Sequence, residues 1–490
     1  MRGKLWRMID RKSGSSLLPD GFRFGVATAG FQVEGGFNGP GEPANNWAAW
    51  EAEGRVEPSG IALDFWSRYE EHLDRVAAMG CDSFRMSVEW ARVEPEEGKV
   101  DAEALARYLA ILQACRARGI EPLVTLHHFT HPAWLGPDLW LRPDSPERFR
   151  HWAGVAVEAL APACSNWVTI NELNVLALES YLIGTFPPGR LGDLRSAERA
   201  LDNLLTAHIA AYGEVHRIQP SACVSTNNYT LSLYELDRLP ADLLAAPGAG
   251  VTRDDLAAWL ASRRESYYAA LPEPSGGPGT RTFERVMRSF AGRVGARRPG
   301  LDAAFPRAAA ALYASGHERV LDVVQVDYYD PFAAHHIRLP GHKSAGGRTW
   351  LPGRMLWDDL PCPGDMRAFL ETSRQVGLEL WVVENGMGSR VRRGRAWPRL
   401  DRYDRPRYLR EHLGEIVRMV EAGLPLTGYW HWTLADNYEW GSYEPRFGIF
   451  GVDRERGVRW LDTDSLGHDT AGAYRRLIEG LRAGDASVLY

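Results

Sequence analysis

Two glutamates of this 490-residue chain stand where a strand-like run of apolar residues ends, and each lies beside an asparagine. Glu172 closes the segment WVTINE at 167–172, and Glu384 closes LWVVE at 380–384. Apolar, β-branched runs of this length are typical of buried strands in a parallel sheet. A carboxylate at the end of such a strand is poorly suited to packing, whereas that end is the catalytic face of a parallel barrel. Two carboxylates across a gap of sugar size are the basic apparatus of glycoside hydrolysis.

Eight segments have the character of strands, and most are followed by an amphipathic stretch. The predicted strands are Arg23–Thr28, Ser83–Val88, Glu121–His127, Trp167–Asn171, Ala222–Asn227, Val323–Tyr329, Leu380–Glu384 and Thr427–Trp432. The predicted helices between several of them are Phe65–Met79, Glu103–Arg118, Pro146–Leu160 and Arg405–Ala422. This alternation favours an α/β fold, a single (β/α)8 TIM barrel with right-handed crossovers.

A doubly wound sheet is the alternative arrangement. It is disfavoured because polar residues suited to one site recur at strand ends along the whole chain. No Gly-x-Gly-x-x-Gly motif follows a strand and no phosphate-binding loop is present. The stretch 231–317 contains Pro/Gly-rich segments with helical pattern between them, and we interpret it as an elaborated loop or insertion between strands five and six. Residues 1–490 are therefore predicted to form one catalytic domain, and a separate domain within 231–317 is the less favoured alternative.

The composition argues against several classes of partner. A net charge of −6 is too mild to indicate nucleic acid or an anionic membrane surface. No apolar run approaches the roughly 18 residues of a membrane span, and the first twenty residues lack the apolar centre of a signal peptide. The five cysteines lack metal or redox spacing. These features predict a cytoplasmic protein, and the two strand-end glutamates favour a small-molecule glycoside or oligosaccharide as its partner. They leave its oligomeric state open.

The remaining strand ends carry further side chains suited to a sugar site. These are Gln32 after the first strand, Arg85 in the second, His128 after the third, Asn171 in the fourth, and Asp327 and Tyr329 in the sixth; the eighth strand runs into WHWTLADNYEW at 430–440. In this order the motifs resemble glycoside hydrolase family 1, the β-glucosidase family, over roughly residues 20–455 with a poor match across 231–317. The resemblance implies a (β/α)8 barrel and hydrolysis of O-linked β-D-glycosides of gluco, galacto or fuco configuration. It also implies retention through a covalent glycosyl-enzyme intermediate.

The resemblance implies a role for each matching residue. Glu384 is expected to be the nucleophile and Glu172 the acid/base, while Arg85 and Tyr329 match the groups that touch the nucleophile. The sugar ligands implied by the family pattern are Gln32, His128, Asn171, Trp432, Glu439 and Trp440, with Trp432 as the platform under the ring. No cofactor and no metal are expected.

The chemistry of retention requires the two carboxyls to differ. They must lie about 5–5.5 Å apart, with one ionised and the other protonated at the same pH. Arg85 and the Tyr329 hydroxyl are expected to stabilise negative charge on Glu384 and so to lower its pKa. The nearby negative charge and partial burial are expected to raise the pKa of Glu172, which then protonates the leaving oxygen. Asn171 is expected to bind the sugar 2-hydroxyl.

Three positions depart from the family pattern. Leu173 stands where a proline usually follows the acid/base, and Phe129 replaces a tryptophan after the sugar-binding histidine. Asp327 replaces the asparagine of an Asn-Tyr-Tyr motif. Because Asp327 and Tyr329 share a strand face by alternation, we expect a third carboxylate near Glu172 and Glu384. It would raise their pKa values or bind a hydroxyl or cation of the substrate.

Several alternative interpretations are weaker. His127, His128 and His131 suggest a metal site, but they lack a nearby carboxylate pair and the alternate spacing of ligands on one strand face. Phospho-glycosidases of the family carry Ser and Lys after the eighth strand, whereas segment 439–444 here has two acids, which favours a neutral sugar. Plant-type thioglucosidases carry glutamine in place of the acid/base glutamate, so the presence of Glu172 argues against that activity. Two other functions remain open: a transglycosylase using the same site, and a non-catalytic carbohydrate-binding protein.

Overall fold

A computed structural model describes residues 16–231, 233–271, 305–329, 335–337, 352–354, 361, 363–392, 394–399, 402–455 and 457–490. Its main sheet contains nine parallel strand segments. They are β1 Arg23–Ala27, β2 Ser83–Ser87, β3 Glu121–His127, β4 Asn166–Ile170, β5 Cys223–Ser225, β6 Asn227–Tyr229, β7 Val324–Asp327, β8 Leu380–Glu384 and β9 Leu426–Trp432. Each of the eight predicted strands is present, with ends that differ by at most two residues.

The sheet closes into a barrel. Its order is β5-β4-β3-β2-β1-β9-β8-β7-β6, and only Thr226 separates β5 from β6 along the chain. These two segments are therefore the halves of one strand, the first half paired with β4 and the second with β7. This continuity gives the predicted eight-stranded (β/α)8 barrel, and the doubly wound alternative is wrong.

Helices surround the barrel. The described helices of eight or more residues are α1 Phe65–Ala78, α2 Ala102–Ala117, α3 Ser145–Leu160, α4 Leu194–Ile218, α5 Leu256–Ala270, α6 Pro306–Ala314, α7 Met366–Ser373, α8 Arg405–Glu421 and α9 Thr470–Ala483. Shorter helices span Gly30–Val33, Ala48–Ala52, Trp90–Val93, Leu173–Leu178, Tyr234–Asp237 and Leu239–Ala245. The helix starts follow local capping chemistry: the carboxylate of Asp101 accepts hydrogen bonds from the first turn of α2, and that of Asp404 does so for α8.

The stretch 231–317 lies between β6 and β7, as predicted. Its described part is helical at 234–237, 239–245, 256–270 and 306–314. Tyr234, Leu243 and Leu260 are buried in the same hydrophobic cluster as the barrel helices. Residues 272–304 lie outside the described residues, and the prediction of one catalytic domain stays a prediction.

Trp430 fills the interior of the barrel below the strand ends. Its indole Nε1 donates to Ser83 Oγ at 3.0 Å, and its ring lies 5.4 Å from that of Trp381. A Cβ at Gly25 would lie 2.3 Å from this indole, and a Cβ at Gly428 would lie 2.5 Å from it. The two glycines therefore make room for a large aromatic plug. Trp430 serves packing, and the carboxyl-end layer above it is left to the site residues.

Within the described residues, every helix is too short or too polar to cross a lipid bilayer.

Candidate active site

The two predicted carboxyls meet at the carboxyl end of the barrel. Glu384 is the last residue of β8, and Glu172 follows β4 in the left-handed region at φ 39°, immediately before the helix Leu173–Leu178. Each offers a carboxylate oxygen within 4.8 Å of the other. Retaining glycosidases place these groups about 5–5.5 Å apart and inverting ones about 6.5–9.5 Å apart. An oxygen pair within 4.8 Å is closer to the retaining separation than to the inverting one.

Glu384 is held by a cation and a hydroxyl. Arg85 Nη1 donates to Glu384 Oε1 at 2.5 Å, and the Tyr329 hydroxyl donates to Oε2 at 2.8 Å. The structure thus brings together Arg85, Tyr329 and Glu384, as the sequence analysis predicted. One expectation is wrong: the pKa of Glu384 is raised overall, because burial outweighs the lowering effects of Arg85 and Tyr329. The two partners oppose this rise without reversing it.

Arg85 also positions Asn171. Its Nη2 donates to Asn171 Oδ1 at 2.5 Å, and its Nε donates to Thr125 Oγ1 at 3.2 Å. Asn171 Oδ1 accepts a second hydrogen bond from Asn227 Nδ2 at 2.9 Å. Since this oxygen is occupied twice, the Asn171 amide nitrogen is left to face His128 Nε2, at 3.2 Å. The fixed amide can offer an N–H donor to a sugar hydroxyl.

Gln32, Glu439 and Trp432 form a second cluster across the site. Gln32 Nε2 donates to Glu439 Oε2 at 3.1 Å, and Trp432 Nε1 donates to Glu439 Oε1 at 3.1 Å. Gln32 Nε2 also donates to the Tyr438 carbonyl at 2.7 Å. Burial raises the pKa of Glu439 to about 8. This carboxyl with two neighbouring donors is suited to bind paired hydroxyls of a sugar.

Stacked rings form a wall of the site. The ring of His128 stacks on that of Trp432 at 6.0 Å and on that of Trp440 at 5.8 Å. The pKa of His128 lies well below its usual range because of burial and the nearby charge of Arg85. A neutral imidazole and two indoles can contact the apolar face of a sugar ring and still offer N–H donors.

Asp327 lies within this catalytic group, as its strand face predicted. It is fully buried, and its Oδ1 is 4.0 Å from Arg85 Nη1. Asn227 Nδ2 donates to its Oδ2, and Glu172 lies within hydrogen-bonding reach. Burial, followed by the charges of Glu384 and Glu172, raises the pKa of Asp327 well above its ordinary value.

The three histidines of β3 and its following loop divide between two roles. His127 packs edge to face against Trp140 and Phe149, at 5.1 and 6.2 Å. His131 Nε2 contacts the Gly136 carbonyl at 3.1 Å. Of the three histidines, His128 is the one that stacks on Trp432 and Trp440. The hypothesis of a shared metal site on these histidines has no support in this geometry.

Two functional contacts had escaped the sequence reasoning. Asn227 bridges Asn171 and Asp327, and Thr125 supports Arg85. The available signal was position: both are polar residues at or near the carboxyl end of a predicted strand, as the identified site residues are. Neither belongs to a recognised motif, so nothing distinguished them from ordinary strand residues.

A (β/α)8 barrel with two buried carboxyls at the carboxyl ends of its strands is the arrangement expected of a glycoside hydrolase. The model of glycosyl hydrolase family 1 matches residues 15–250 and 343–465, and the chain belongs to this family. Its activity class is that of the family, the retaining β-glycosidases.

Similar proteins span nearly the whole chain at low identity. Beta-glucosidase 47 of Arabidopsis thaliana is 26% identical, over 89% of this chain and 81% of its own length. Beta-glucosidase A of Thermotoga maritima is 27% identical, over 89% and 93%. The 6-phospho-beta-galactosidase 1 of Streptococcus pneumoniae strain R6 is 26% identical, over 92% and 97%. The solved family 1 β-glucosidase from Thermotoga maritima superposes with a TM-score of 0.69 at 23% identity, covering 95% of this chain and 98% of its own, which supports the fold.

Proposed function

We propose that the protein hydrolyses β-linked glycosides of neutral sugars with retention, with Glu384 as nucleophile and Glu172 as acid/base. The observation that carries this proposal is the buried carboxyl pair, whose oxygens lie within 4.8 Å. One member of the pair is anchored by a guanidinium and a phenol. Glucosides, galactosides and fucosides are the proposed substrates.

In the first step an oxygen of Glu384 attacks the anomeric carbon. The bond from that carbon to the leaving oxygen breaks, and Glu172 gives its proton to the leaving oxygen. Arg85 supports this step because it holds the Glu384 carboxylate in place and stabilises its ionised form against the cost of burial. The product is a glycosyl ester on Glu384 and a free alcohol.

In the second step water replaces the alcohol. Glu172, now ionised, takes a proton from water, and the hydroxide attacks the anomeric carbon from the face the alcohol left. The ester bond to Glu384 breaks and its carboxylate is restored. Esterification removes the negative charge of Glu384, which lowers the electrostatic cost of ionising Glu172. The two inversions together retain the β configuration.

The residues around the two carboxyls support a sugar as the substrate. Gln32, Glu439 and Trp432 present donors and acceptors close together, and His128 and Trp440 add the stacked wall. Glu439 can accept from adjacent hydroxyls of gluco or galacto configuration. Binding of this kind fixes the ring so that its anomeric carbon faces Glu384.

A neutral 6-position is proposed although some similar proteins are named 6-phospho-beta-galactosidases. The loop after β9 carries two acids, Glu439 and Glu444, and segment 439–444 holds no lysine or arginine that could pair with a phosphate. A comparison of 4-nitrophenyl β-D-galactoside with its 6-phosphate tests this choice. Faster turnover of the phosphorylated substrate would contradict it.

We further propose that the protein works in the cytoplasm. Its support is the state of the cysteines: Cys81, Cys115, Cys164 and Cys223 are free thiols. Fractionation of the native host, with immunodetection of the chain, tests this proposal. Recovery outside the cytoplasmic fraction would contradict it.

The decisive test of the mechanism is stereochemical. Proton NMR of the first sugar released from an aryl β-glycoside is expected to show the β anomer before mutarotation. Glu384→Ala is expected to abolish turnover, and azide is expected to restore cleavage with an α-glycosyl azide as product. Glu415→Gln is the matched control, since Glu415 is buried against Arg367 and Arg418 away from the site. An initial α anomer from the wild-type protein would overturn the retaining assignment.

A further inference from the structure

The site contains three clustered carboxyl groups, whereas the proposed mechanism uses two. Glu172, Asp327 and Glu384 offer oxygens that all lie within 4.8 Å of one another. Arg85 faces this group, but it is committed to Glu384 at 2.5 Å and to Asn171 at 2.5 Å, and it reaches Asp327 only at 4.0 Å. The nearby His128 is neutral because burial holds its pKa well below the usual range. The cluster thus carries an excess of negative charge when the acids ionise.

Asp327 is the residue that the mechanism leaves without a task. Its side chain is fully buried, and its Oδ2 accepts from Asn227. Within the described part of the chain, Asp327 Oδ1 makes no hydrogen bond, although the carboxyl of Glu172 lies within hydrogen-bonding reach of the Asp327 side chain. Burying a carboxylate oxygen without a donor is costly, and the raised pKa of Asp327 reflects that cost. A cationic hydrogen-bond donor on the substrate would offset this cost of burial.

The geometry also indicates where on the sugar such a donor would sit. During cleavage the anomeric carbon is expected to lie between Glu384 and Glu172, so the sugar positions nearest Asp327 are that carbon and its neighbours. The substituent on the anomeric carbon is the leaving oxygen, which Glu172 serves, and one neighbour is the ring oxygen. The remaining position is C2. Asn171, the expected ligand of the C2 substituent, shares the Asn227 donor with Asp327, so the two side chains lie side by side.

We propose, on the basis of the function proposed above, that the preferred substrate carries a protonated amine on C2: a 2-amino-2-deoxy-β-D-glycoside. The ammonium donates to Asp327 Oδ1 and is recognised by charge as well as by shape. Charge-assisted hydrogen bonds are roughly twice as strong as neutral ones. An asparagine at this position would serve a C2 hydroxyl equally well without adding a negative charge.

The carboxylate also answers a difficulty in the chemistry of such substrates. Positive charge develops at the anomeric carbon in the transition state, and an ammonium on the adjacent carbon repels it. A carboxylate against the ammonium offsets this repulsion. Asp327 therefore acts in binding and in the chemical step, whereas Glu384 remains the nucleophile.

The test compares two aryl glycosides that differ only at C2. The substrates are 4-nitrophenyl 2-amino-2-deoxy-β-D-glucoside and 4-nitrophenyl β-D-glucoside, assayed at a pH where the amine is protonated. Wild-type kcat/KM is expected to favour the amino sugar by at least about 10-fold. Asp327→Asn is expected to shift this ratio towards the glucoside by about 10- to 100-fold. Asp322→Asn removes one acid outside the site, where Asp322 bonds Tyr212 and His216, and is expected to keep the wild-type ratio.

Several outcomes would overturn the proposal. They are a wild-type preference for the glucoside, an unchanged ratio in Asp327→Asn, or an equal preference for the 6-amino-6-deoxy glucoside, which would indicate unspecific attraction of cations. Loss of activity with a chelator and its recovery with Mg²⁺ or Ca²⁺ would assign the three acids to a metal instead.

Calorimetry separates failure of this proposal from failure of the hydrolytic function. If no aryl glycoside is cleaved, free glucosamine and free glucose are each titrated into the wild-type protein and into Asp327→Asn. Tighter binding of glucosamine to the wild type, lost in Asp327→Asn, would support the amine site without hydrolysis. Equal binding of the two sugars would refute it.

Discussion

Glu384 and Glu439 are two buried glutamates of one site, and their surroundings suit them to the different tasks proposed for them. Glu384 contacts the guanidinium of Arg85 at 2.5 Å and the phenol of Tyr329 at 2.8 Å. Glu439 contacts two neutral N–H donors, from Gln32 and Trp432, each at 3.1 Å. Burial raises the pKa of both carboxyls, to about 8 in the case of Glu439. The presence of a cation distinguishes them.

This difference explains how one side chain type can serve as nucleophile and as hydroxyl ligand within a single pocket. A nucleophile must be ionised, so it requires a positive partner that opposes the cost of burial. A hydroxyl ligand needs only oxygens of fixed position, and a protonated carboxyl can donate as well as accept. The comparison predicts that changes around Glu384 alter the chemical step, whereas changes at Glu439 alter binding.

The largest effect is expected from Arg85→Met. It leaves Glu384 without its cation, and loss of one partner of a buried ion pair costs about 3–5 kcal/mol. We expect kcat/KM to fall by roughly 10²- to 10⁴-fold. The acidic limb of the pH–rate profile is expected to move to higher pH, because activity is lost as pH falls through the pKa of Glu384 and that pKa rises without Arg85. Steady-state kinetics across the pH range measure both changes.

Arg367→Met is the matched control, since Arg367 pairs with Glu415 outside the site. It is expected to leave the acidic limb in place. An unshifted limb in Arg85→Met itself would mean that Glu384 does not depend on this cation, and the contrast with Glu439 would lose its basis.

A smaller effect of the same sign is expected from Tyr329→Phe. It removes one hydroxyl donor to Glu384 and keeps the ring, which stacks on Tyr229 at 5.4 Å. A hydrogen bond to a charged group contributes about 1.5–3 kcal/mol, so kcat/KM is expected to fall by about 10- to 100-fold. The acidic limb should shift upward by less than in Arg85→Met. A larger shift in Tyr329→Phe would show that the phenol, rather than the guanidinium, sets the ionisation of the nucleophile.

Much of this arrangement could be predicted from local sequence, and the remainder depends on distance in space. The eight strands, the barrel and the placing of Glu172 and Glu384 at strand ends follow from apolar runs closed by a polar residue. Asn227 lacked such a signal, because its role arises from reaching Asn171 and Asp327 at once. The net pKa direction of Glu384 was predicted wrongly, because the cost of burial depends on the whole surrounding structure. Neighbour identity alone predicts only the contributions of Arg85 and Tyr329.

The smallest effect, and the sharpest test of the contrast, is expected from Glu439→Gln. Glutamine is a neutral isostere, so it imitates the protonated carboxyl that prevails below about pH 8. We expect KM to rise by about 10-fold through loss of one good hydrogen-bond partner. The expected change in kcat is smaller, because Glu439 is proposed to bind sugar hydroxyls and not to contact the reacting bond. Above pH 8 the wild-type carboxyl ionises, so KM of the wild type is expected to change there, whereas KM of Glu439→Gln stays level.

Two results would contradict this expectation. A step in KM near pH 8 that persists in Glu439→Gln would assign that ionisation to another group. A fall in kcat as large as that of Arg85→Met would remove the distinction between Glu384 and Glu439.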